Sequence, residues 1–330
     1  MCSFFLGKND HAIVILKLHE EDFYTVTLSF RPQGSFDGTP GQEQFVIGKD
    51  GTIATQLATQ TEFLVQIRDP QAEAIGQLLQ ESSEAGLGID RLSGSQGSFQ
   101  RLPYADRMID LIVTTSLSAQ DLETLTSKEV FRVLRPGGML FMGRRSGLPE
   151  DAVTKTSLRE WFRTTAAFGT AASKVMGRIW EDDEGCWAYL QKPQDKAAGE
   201  WTHWEHGPDN NPVSEDTRIK APYMTQFLGG PMYIGMPSIT TAAGGRTFLA
   251  VGHIAHHPRE WGTLQRLIAR NGYNGTILWE RKLPDDYLVH RSAFIATSET
   301  FYMIDGNRCL LLEPETGREK GQLRFAGVAG

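Results

Sequence analysis

A mostly parallel α/β sheet domain followed by an all-β region is the fold class that this 330-residue sequence predicts. Three observations carry the prediction. Between Gln44 and Leu140 short apolar runs alternate with helix-length segments, which is the signature of βαβ units. Beyond Trp201 the texture changes to short β-rich runs between glycine-rich turns, with no helical periodicity. A content of 40% apolar and 10% aromatic residues, over a length sufficient for two domains, can bury a core in each.

The elements follow in order. His11 to Leu18 and Asp22 to Phe30 are β-rich runs that suggest an antiparallel hairpin, and Pro32 to Gly41 has the composition of a loop. Residues 1–43 fit no motif and stand unassigned. The alternating region then pairs Phe45-Val46-Ile47 with a helix over Thr52 to Thr59, and Phe63 to Ile67 with a helix over Gln71 to Ser82. Ile109 to Val113 leads into a helix over Leu117 to Leu134, and Met139 to Met142 is a last parallel strand. Leu158 to Ala172 reads as a further helix. Lys174 to Trp180 and Cys186 to Gln191 flank the polar turn Glu-Asp-Asp-Glu-Gly, so a hairpin is expected there. Lys192 to Gly199 is a polar linker, and the domains are taken as 1–43, 44–192 and 193–330.

In the last region strands are expected over Thr247 to Val251, Thr263 to Ala269, Thr276 to Arg281, Ala293 to Thr297, Phe301 to Ile304, Cys309 to Glu313 and Gln322 to Phe325. Leu267 to Glu280 and Arg308 to Gly321 contain one element used twice: an apolar strand, a polar turn closed by Gly275 or Gly317, and a second strand.

Charge and cysteine content exclude several classes. A net charge of -7 with scattered Lys and Arg leaves no basic footprint for nucleic acid or an anionic membrane. Cys2, Cys186 and Cys309 form no C-x-x-C pair and read as isolated thiols. The early apolar run, Ala12 to Leu16, is too short to cross a membrane and no export signal lines up, so a soluble, cytoplasmic chain is expected. His203 and His206, and His253, His256 and His257, give two H-x-x-H spacings without a third ligand, so no metal is expected. Asn274-Gly275-Thr276 matches a glycosylation sequon, but the requirements of a turn account for it.

Leu102-Pro103-Tyr104-Ala105-Asp106, Ile109-Asp110-Leu111-Ile112-Val113 and Arg135-Pro136-Gly137-Gly138 resemble the second half of a class I S-adenosylmethionine-dependent methyltransferase of the type 11 kind. The resemblance implies a Rossmann-like domain. In it Pro103 and Asp106 shape a turn, Asp110 starts a central strand, and Gly137 and Gly138 permit a left-handed turn after a helix stopped by Pro136. The resemblance also implies S-adenosylmethionine (SAM) as cofactor, held by Gly48, Asp50 and Gly51 in the turn Val46-Ile47-Gly48-Lys49-Asp50-Gly51. That turn keeps G-x-D-G of the family's G-x-G-x-G, and Ile47 or Lys49 stands where further glycine is usual. An ordinary strand-to-helix turn is the alternative reading of the same residues.

Asp69, at the end of the second strand, would accept the ribose hydroxyls; the alternative is that Asp69 and Pro70 open the next helix as N-cap and first residue. Ser98 stands where the family carries an acid for the adenine amine, a replacement that loses a contact worth roughly 1 kcal/mol or more. Thr114-Thr115-Ser116-Leu117 offers no general base, although methyl transfer can proceed by positioning alone. No catalytic residue is assigned.

The C-terminal region, with Trp279 after the first glycine turn and the stretch Glu200 to Asn211 before it, resembles PQQ-type β-propeller blades fused to methyltransferase-like domains. About 130 residues hold two or three blades of ~40 residues, whereas a closed ring takes about four to eight. A partial propeller is therefore expected, its edge completed by a partner or a further chain, with Trp201, Trp204, Trp261 and Trp279 in blade cores. PQQ itself is not expected, since adjacent cysteines and a complete ring are missing. Two functions follow: a SAM-dependent methyltransferase with a small-molecule or protein acceptor, or a non-catalytic binding or scaffold protein built on a degenerate Rossmann domain.

Overall fold

The computed structural model describes residues 2–4, 13–17, 24–30, 41–47, 52–60, 63–115, 117–147, 153–165, 176–219, 221–222, 224–285, 287–291 and 294–325. The main division of the chain falls between Gln194 and Asp195, and the two compact units are described separately.

The first unit contains strands β1 (Cys2–Phe4), β2 (Ile13–Lys17), β3 (Tyr24–Phe30) and β4 (Gly41–Ile47), then helix α1 (Thr52–Gln60), β5 (Leu64–Asp69), α2 (Ala72–Glu84) and β6 (Leu92–Gln96). It continues with β7 (Ile109–Thr114), α3 (Ala119–Thr124), α4 (Ser127–Val133), β8 (Leu134–Arg145), α5 (Lys155–Thr165) and the strands β9 (Met176–Asp182) and β10 (Gly185–Gln191). Seven strands form one sheet in the order β6-β5-β2-β7-β8-β10-β9. β6, β5, β2, β7 and β8 run parallel, and the β9–β10 hairpin adds to β8 antiparallel. This is a Rossmann-like arrangement closed by an antiparallel hairpin, as the alternation of elements predicts.

Two expectations fail at the start of the chain. The hairpin over residues 11–30 does not form: β2 lies between β5 and β7, while β3 pairs with β1 and β4 in a separate three-stranded sheet. Phe45-Val46-Ile47 therefore is not the first parallel strand. A strand with parallel neighbours on both sides needs apolar residues on both faces, which Ile13-Val14-Ile15-Leu16 supplies, whereas β4 opens with the polar Gln42-Glu43-Gln44. The edge strand β6, Leu-Ser-Gly-Ser-Gln, was not anticipated, because it carries only one large apolar residue and shows no apolar alternation.

Helices cover the sheet on both faces. Adjacent residues of β7 and β8 point to opposite sides, so Leu111 and Met139 join a core with Leu57, Ala58 and Leu78 of α1 and α2. Ile112 and Leu140 join the other core, with Val130, Phe131, Leu158 and Trp161 of α4 and α5. The single helix expected over Leu117 to Leu134 is broken in two. Ser118 caps α3 in a capping box with Asp121, Thr126 caps α4 through the Glu129 amide, and Trp161 Nε1 donates to the Leu125 carbonyl at the break, 2.6 Å. After α4, Gly137 takes the left-handed conformation (φ 76°), while Gly138 does not and instead backs against the Ile109 and Asp110 carbonyls.

The second unit contains β11 (Met236–Ala243), β12 (Arg246–Ile254), β13 (Arg266–Asn271) and β14 (Ile277–Lys282), an antiparallel sheet in sequential order. β15 (Phe294–Ala296), β16 (Phe301–Asp305), β17 (Arg308–Leu312) and β18 (Glu319–Arg324) form a second sheet of the same kind. One core joins both, with Phe248, Leu267, Trp279, Phe301, Met303 and Leu310 among its members. The region is all-β apart from two short 3-10 turns, and among the described residues the two sheets close no ring. Trp279 is buried and donates from Nε1 to the Pro314 carbonyl, 2.9 Å. Trp204 and Trp261 do not serve as core, being 56% and 66% exposed. Cys186 and Cys309 are buried free thiols.

The repeated turn is real in its geometry. Gly275 donates to the Asn271 carbonyl and Gly317 to the Glu313 carbonyl, each 2.9 Å. Asn271 in turn donates to the Thr276 carbonyl and Glu313 to that of Arg318. Both glycines are left-handed, at φ 76° and 67°. At Gly317 a Cβ would also stand 2.7 Å from the Trp279 ring, so replacement meets both backbone strain and a core aromatic. Gly317→Ala is expected to destabilise the second unit by about 1–3 kcal/mol. Gly321→Ala, where a Cβ meets nothing within 4 Å, should change stability by less than about 0.5 kcal/mol. Urea unfolding of the two variants beside the parent checks both values.

Candidate cofactor site

In open α/β sheets ligands collect beyond the carboxyl ends of the parallel strands, and in the first unit those ends are Gln96 on β6, Asp69 on β5, Lys17 on β2, Thr114 on β7 and Arg145 on β8. The Asp69 carboxylate is buried, and Oδ1 accepts from the Gln71 backbone N–H, 2.8 Å. Oδ2 has no partner among the described residues. Asp69 is not the N-cap of α2: Gln71 holds that position, and the helix begins two residues beyond Pro70. The strand tip needs an acid there for a local turn, which uses one of its two oxygens. The Asp69 carbonyl accepts from the Gly97 N–H, 2.9 Å, and Gln96 Nε2 donates to the Pro70 carbonyl, 3.0 Å, so the β5 and β6 tips are tied together.

Arg68 lies across the β6 exit. Its Nη1 donates to Ser95 Oγ at 3.1 Å and to the Gln96 carbonyl at 2.9 Å, and Nε reaches the Ser98 carbonyl at 3.4 Å. A Cβ on Gly97, whose φ is 153°, would fall 1.9 Å from Arg68 Nη2, so only glycine leaves the guanidinium its place. Ser98 is exposed. Where a carboxylate would meet an adenine amine, this chain thus has a neutral hydroxyl beside a fixed cation. Burial pushes the Tyr104 hydroxyl up to about 12 against the opposing pull of Arg68, so Tyr104 stays protonated at neutral pH.

The loop from Leu102 to Asp106 is held by one side chain. Arg132 of α4 donates from Nη2 to the Leu102 carbonyl (2.9 Å) and Glu129 Oε1 (2.6 Å), from Nη1 to the Tyr104 carbonyl (2.7 Å) and Asp106 Oδ1 (2.8 Å), and from Nε to Glu129 Oε2 (2.9 Å). Glu129 also accepts from the Leu102 N–H, 2.7 Å. The guanidinium's hydrogen bond, ahead of the Leu102 amide, holds the Glu129 carboxyl below its ordinary range. Asp110 of β7 is buried against Arg135.

Of the residues expected to hold cofactor, Asp69 and Ser98 sit on neighbouring strand tips. Gly48, Lys49, Asp50 and Gly51 lie outside the described residues, as does Ser116. Ile47 ends β4, in the other sheet. Sequence reading missed Arg68, Glu129 and Arg132; the only visible signal was the Glu-x-x-Arg pair, one turn apart on a helix. At the end of β7, Thr114 Oγ1 is buried without a partner among the described residues. It lines a cavity of about 20 Å³ with Phe99, Leu102, Ile112, Val113, Leu117 and Leu125, room for about one water. Among the described residues no cluster of three or more His, Cys, Asp or Glu is arranged for a metal, and no helix is long and apolar enough to cross a membrane.

Residues 48–142 match the methyltransferase domain family. Among solved structures the chain resembles a SAM-dependent methyltransferase from Aquifex aeolicus (14% identity, 56% of this chain and 83% of that one, TM-score 0.38). It also resembles a SAM-dependent methyltransferase from Methanosarcina mazei (14%, 56% and 94%, TM-score 0.34) and the N-methyltransferase NodS from Bradyrhizobium japonicum (15%, 56% and 88%, TM-score 0.33). No curated protein matches the chain. The matched segment spans β5 to β8 and includes both Asp69 and the Arg132 network. SAM is the cofactor this match supports, and nothing supports PQQ.

Among the described residues, the Asp69 oxygen without a partner fits SAM at its ribose end, and no acid stands at Ser98 for its adenine amine. The clamp beneath the site carries its own test. A group with a lowered folded pKa adds stability above its unfolded value, about 4.3 for glutamate, and loses it as pH falls through the folded value. Unfolding free energy measured from pH 7 to 2.5 should therefore fall less steeply below about pH 4.3 in Glu129→Gln than in the parent. Arg132→Met, which strands a buried carboxylate, should cost about 3–5 kcal/mol at pH 7 by urea denaturation.

Proposed function

We propose that the first unit binds SAM across the β5 and β6 tips and passes its methyl group to a small-molecule or protein acceptor. The observation that carries this reading is the buried Asp69 carboxylate, with one oxygen fixed by its own turn and the other unclaimed, inside the segment that matches the methyltransferase domain family. Asp69 would receive the ribose hydroxyls, and Gly48, Asp50 and Gly51, ahead of α1, would take the methionine end, the two glycines by close backbone approach. Ser98 would face the adenine side as a hydroxyl only. When bound, SAM supplies an activated methyl group. The chain's own part is to hold and orient, since Thr114 to Leu117 past β7 offers no general base and positioning suffices for a sufficiently nucleophilic acceptor.

For the second unit we read the two sequential four-stranded sheets as two blades of a PQQ-like repeat. The support is the equivalent turn between third and fourth strands of each, closed by Gly275 and Gly317 with the same hydrogen bonds.

Calorimetric titration of the full chain with SAM and with S-adenosylhomocysteine tests the first unit. Saturable binding is expected, weakened roughly tenfold or more in Asp69→Asn, which removes a charged acceptor. Absence of heat at millimolar ligand would overturn the reading and leave the non-catalytic scaffold, which the guanidinium of Arg68 beside Ser98 already suits.

A further inference from the structure

At the carboxyl end of β8 the first unit gathers three cations that the cofactor site does not use. Arg144, next to last in β8, donates from Nε to the Val153 carbonyl at 2.6 Å, which brings its guanidinium to the start of α5. There the Thr154 and Ser157 side chains accept each other's amides, at 3.1 and 2.9 Å, and open the helix. Lys155 and Arg159 follow on α5, one turn apart, and because helical side chains lean toward the N-terminus Arg159 reaches back over the Lys155 turn. The place adjoins the loop past β7: Leu117 accepts from the Val153 N–H at 3.2 Å and donates to the Gly143 carbonyl at 3.1 Å.

This grouping works against the helix. The first turn already carries the positive end of the backbone dipole, and like charges one turn apart repel, so Lys155 and Arg159 weaken α5 where acids would strengthen it. Neither forms an ion pair or side-chain hydrogen bond among the described residues, whereas Glu160 and Arg163 on the same helix pair at 3.0 Å. Of the acidic turn after β9, Glu181 shares the Arg144 face through Cys186, while Asp182 lies in the next row and accepts from its own turn amides. Burial, then Glu181, push the Cys186 thiol up against the pull of Arg144, Lys155 and Arg159, which shows the same excess of cations at this corner. Cations that converge at a cost to the free chain are relieved by an anion supplied from outside, and charge-assisted hydrogen bonds make that contact strong.

We infer that the ledge of Arg144, Lys155 and Arg159 holds an anionic group, carboxylate or phosphate, of a small-molecule methyl acceptor. The acceptor role rests on the methyl transfer proposed above; the affinity for anions does not. Inorganic phosphate, acetate and neutral acetamide are titrated into the full isotope-labelled chain without SAM and followed by amide NMR shifts. Phosphate is expected to saturate one site and shift the amides at the start of α5, with acetamide roughly tenfold weaker or more. Lys155→Gln combined with Arg159→Gln should weaken phosphate roughly tenfold or more, while Arg163→Gln, which removes a cation already paired, should change it by no more than about twofold. Acetate as tight as phosphate assigns the group as a carboxylate, and weaker acetate as a phosphate. The double variant should also raise the urea midpoint of the unloaded chain, since it removes a repulsion. No saturation, acetamide equal to phosphate, an unchanged phosphate affinity in the double variant, or a lowered urea midpoint would each overturn the assignment. SAM titrated into the same samples separates the two readings: SAM binding without phosphate binding sinks the ledge alone, and phosphate binding without SAM binding keeps the anion site and sinks its acceptor role.

Discussion

The candidate site depends first on Arg132. All five of its N–H donors are spent, on two backbone carbonyls of the loop after β6, on Asp106, and twice on Glu129. A loop of Leu-Pro-Tyr-Ala-Asp has no ladder of its own to satisfy its carbonyls, and burying them unpaired would be costly. Because Arg132 and Glu129 sit on α4, which packs against β8, the loop is referred to the rigid sheet rather than to solvent. The pair gains its value from completeness. A partly satisfied ionic network in the same place would cost more than an apolar one.

With that loop fixed, the tips of β5 and β6 face each other with opposite character. Asp69 presents an anion with spare acceptor capacity, and the neighbouring residue in sequence, Arg68, presents a cation locked onto the β6 exit. Strand alternation sends the two side chains to different sides, so adjacent residues of opposite sign need not neutralise each other. Electrostatically the site therefore favours a ligand with hydroxyl donors toward Asp69, and offers nothing anionic to an exocyclic amine near Ser98. A protonated Tyr104 nearby adds a neutral hydroxyl and no charge.

Much of this was legible in the residues. The run Leu111-Ile112-Val113 announced a central strand and stands in β7, whereas Arg135 to Gly138, read as the turn that ends a helix, lies within β8, with only Gly137 left-handed. The hairpin after Asp182 was legible because its turn is polar and its strands aromatic; there the Asp182 carboxylate accepts from both Glu184 and Gly185. Phe45 to Ile47, which directly precedes a helix, is the wrong short apolar run to put first in the sheet: only Ile13 to Leu16 is apolar on both faces, as a strand with parallel neighbours on each side requires. The strand β11 was silent, being Thr- and Ala-rich with a proline near its start. Arg68 was illegible for a different reason: its role is set by Gly97 and three acceptors nearly thirty residues away.

The seven-stranded sheet has two outer borders, and each is armoured in its own way. β6 is kept short and polar, with α2 packed on its face, where a Cβ on Gly94 would meet Ile75 at 2.6 Å. β9 carries exposed Arg178, Glu181 and Asp182, with the Arg178 guanidinium laid over the Trp180 ring at 5.7 Å. Unpaired N–H and C=O groups along such borders would otherwise recruit a foreign strand and seed aggregation. Helix cover on one flank and alternating charge on the other make that recruitment unfavourable, so the fold protects itself at the very positions where an open sheet is most vulnerable.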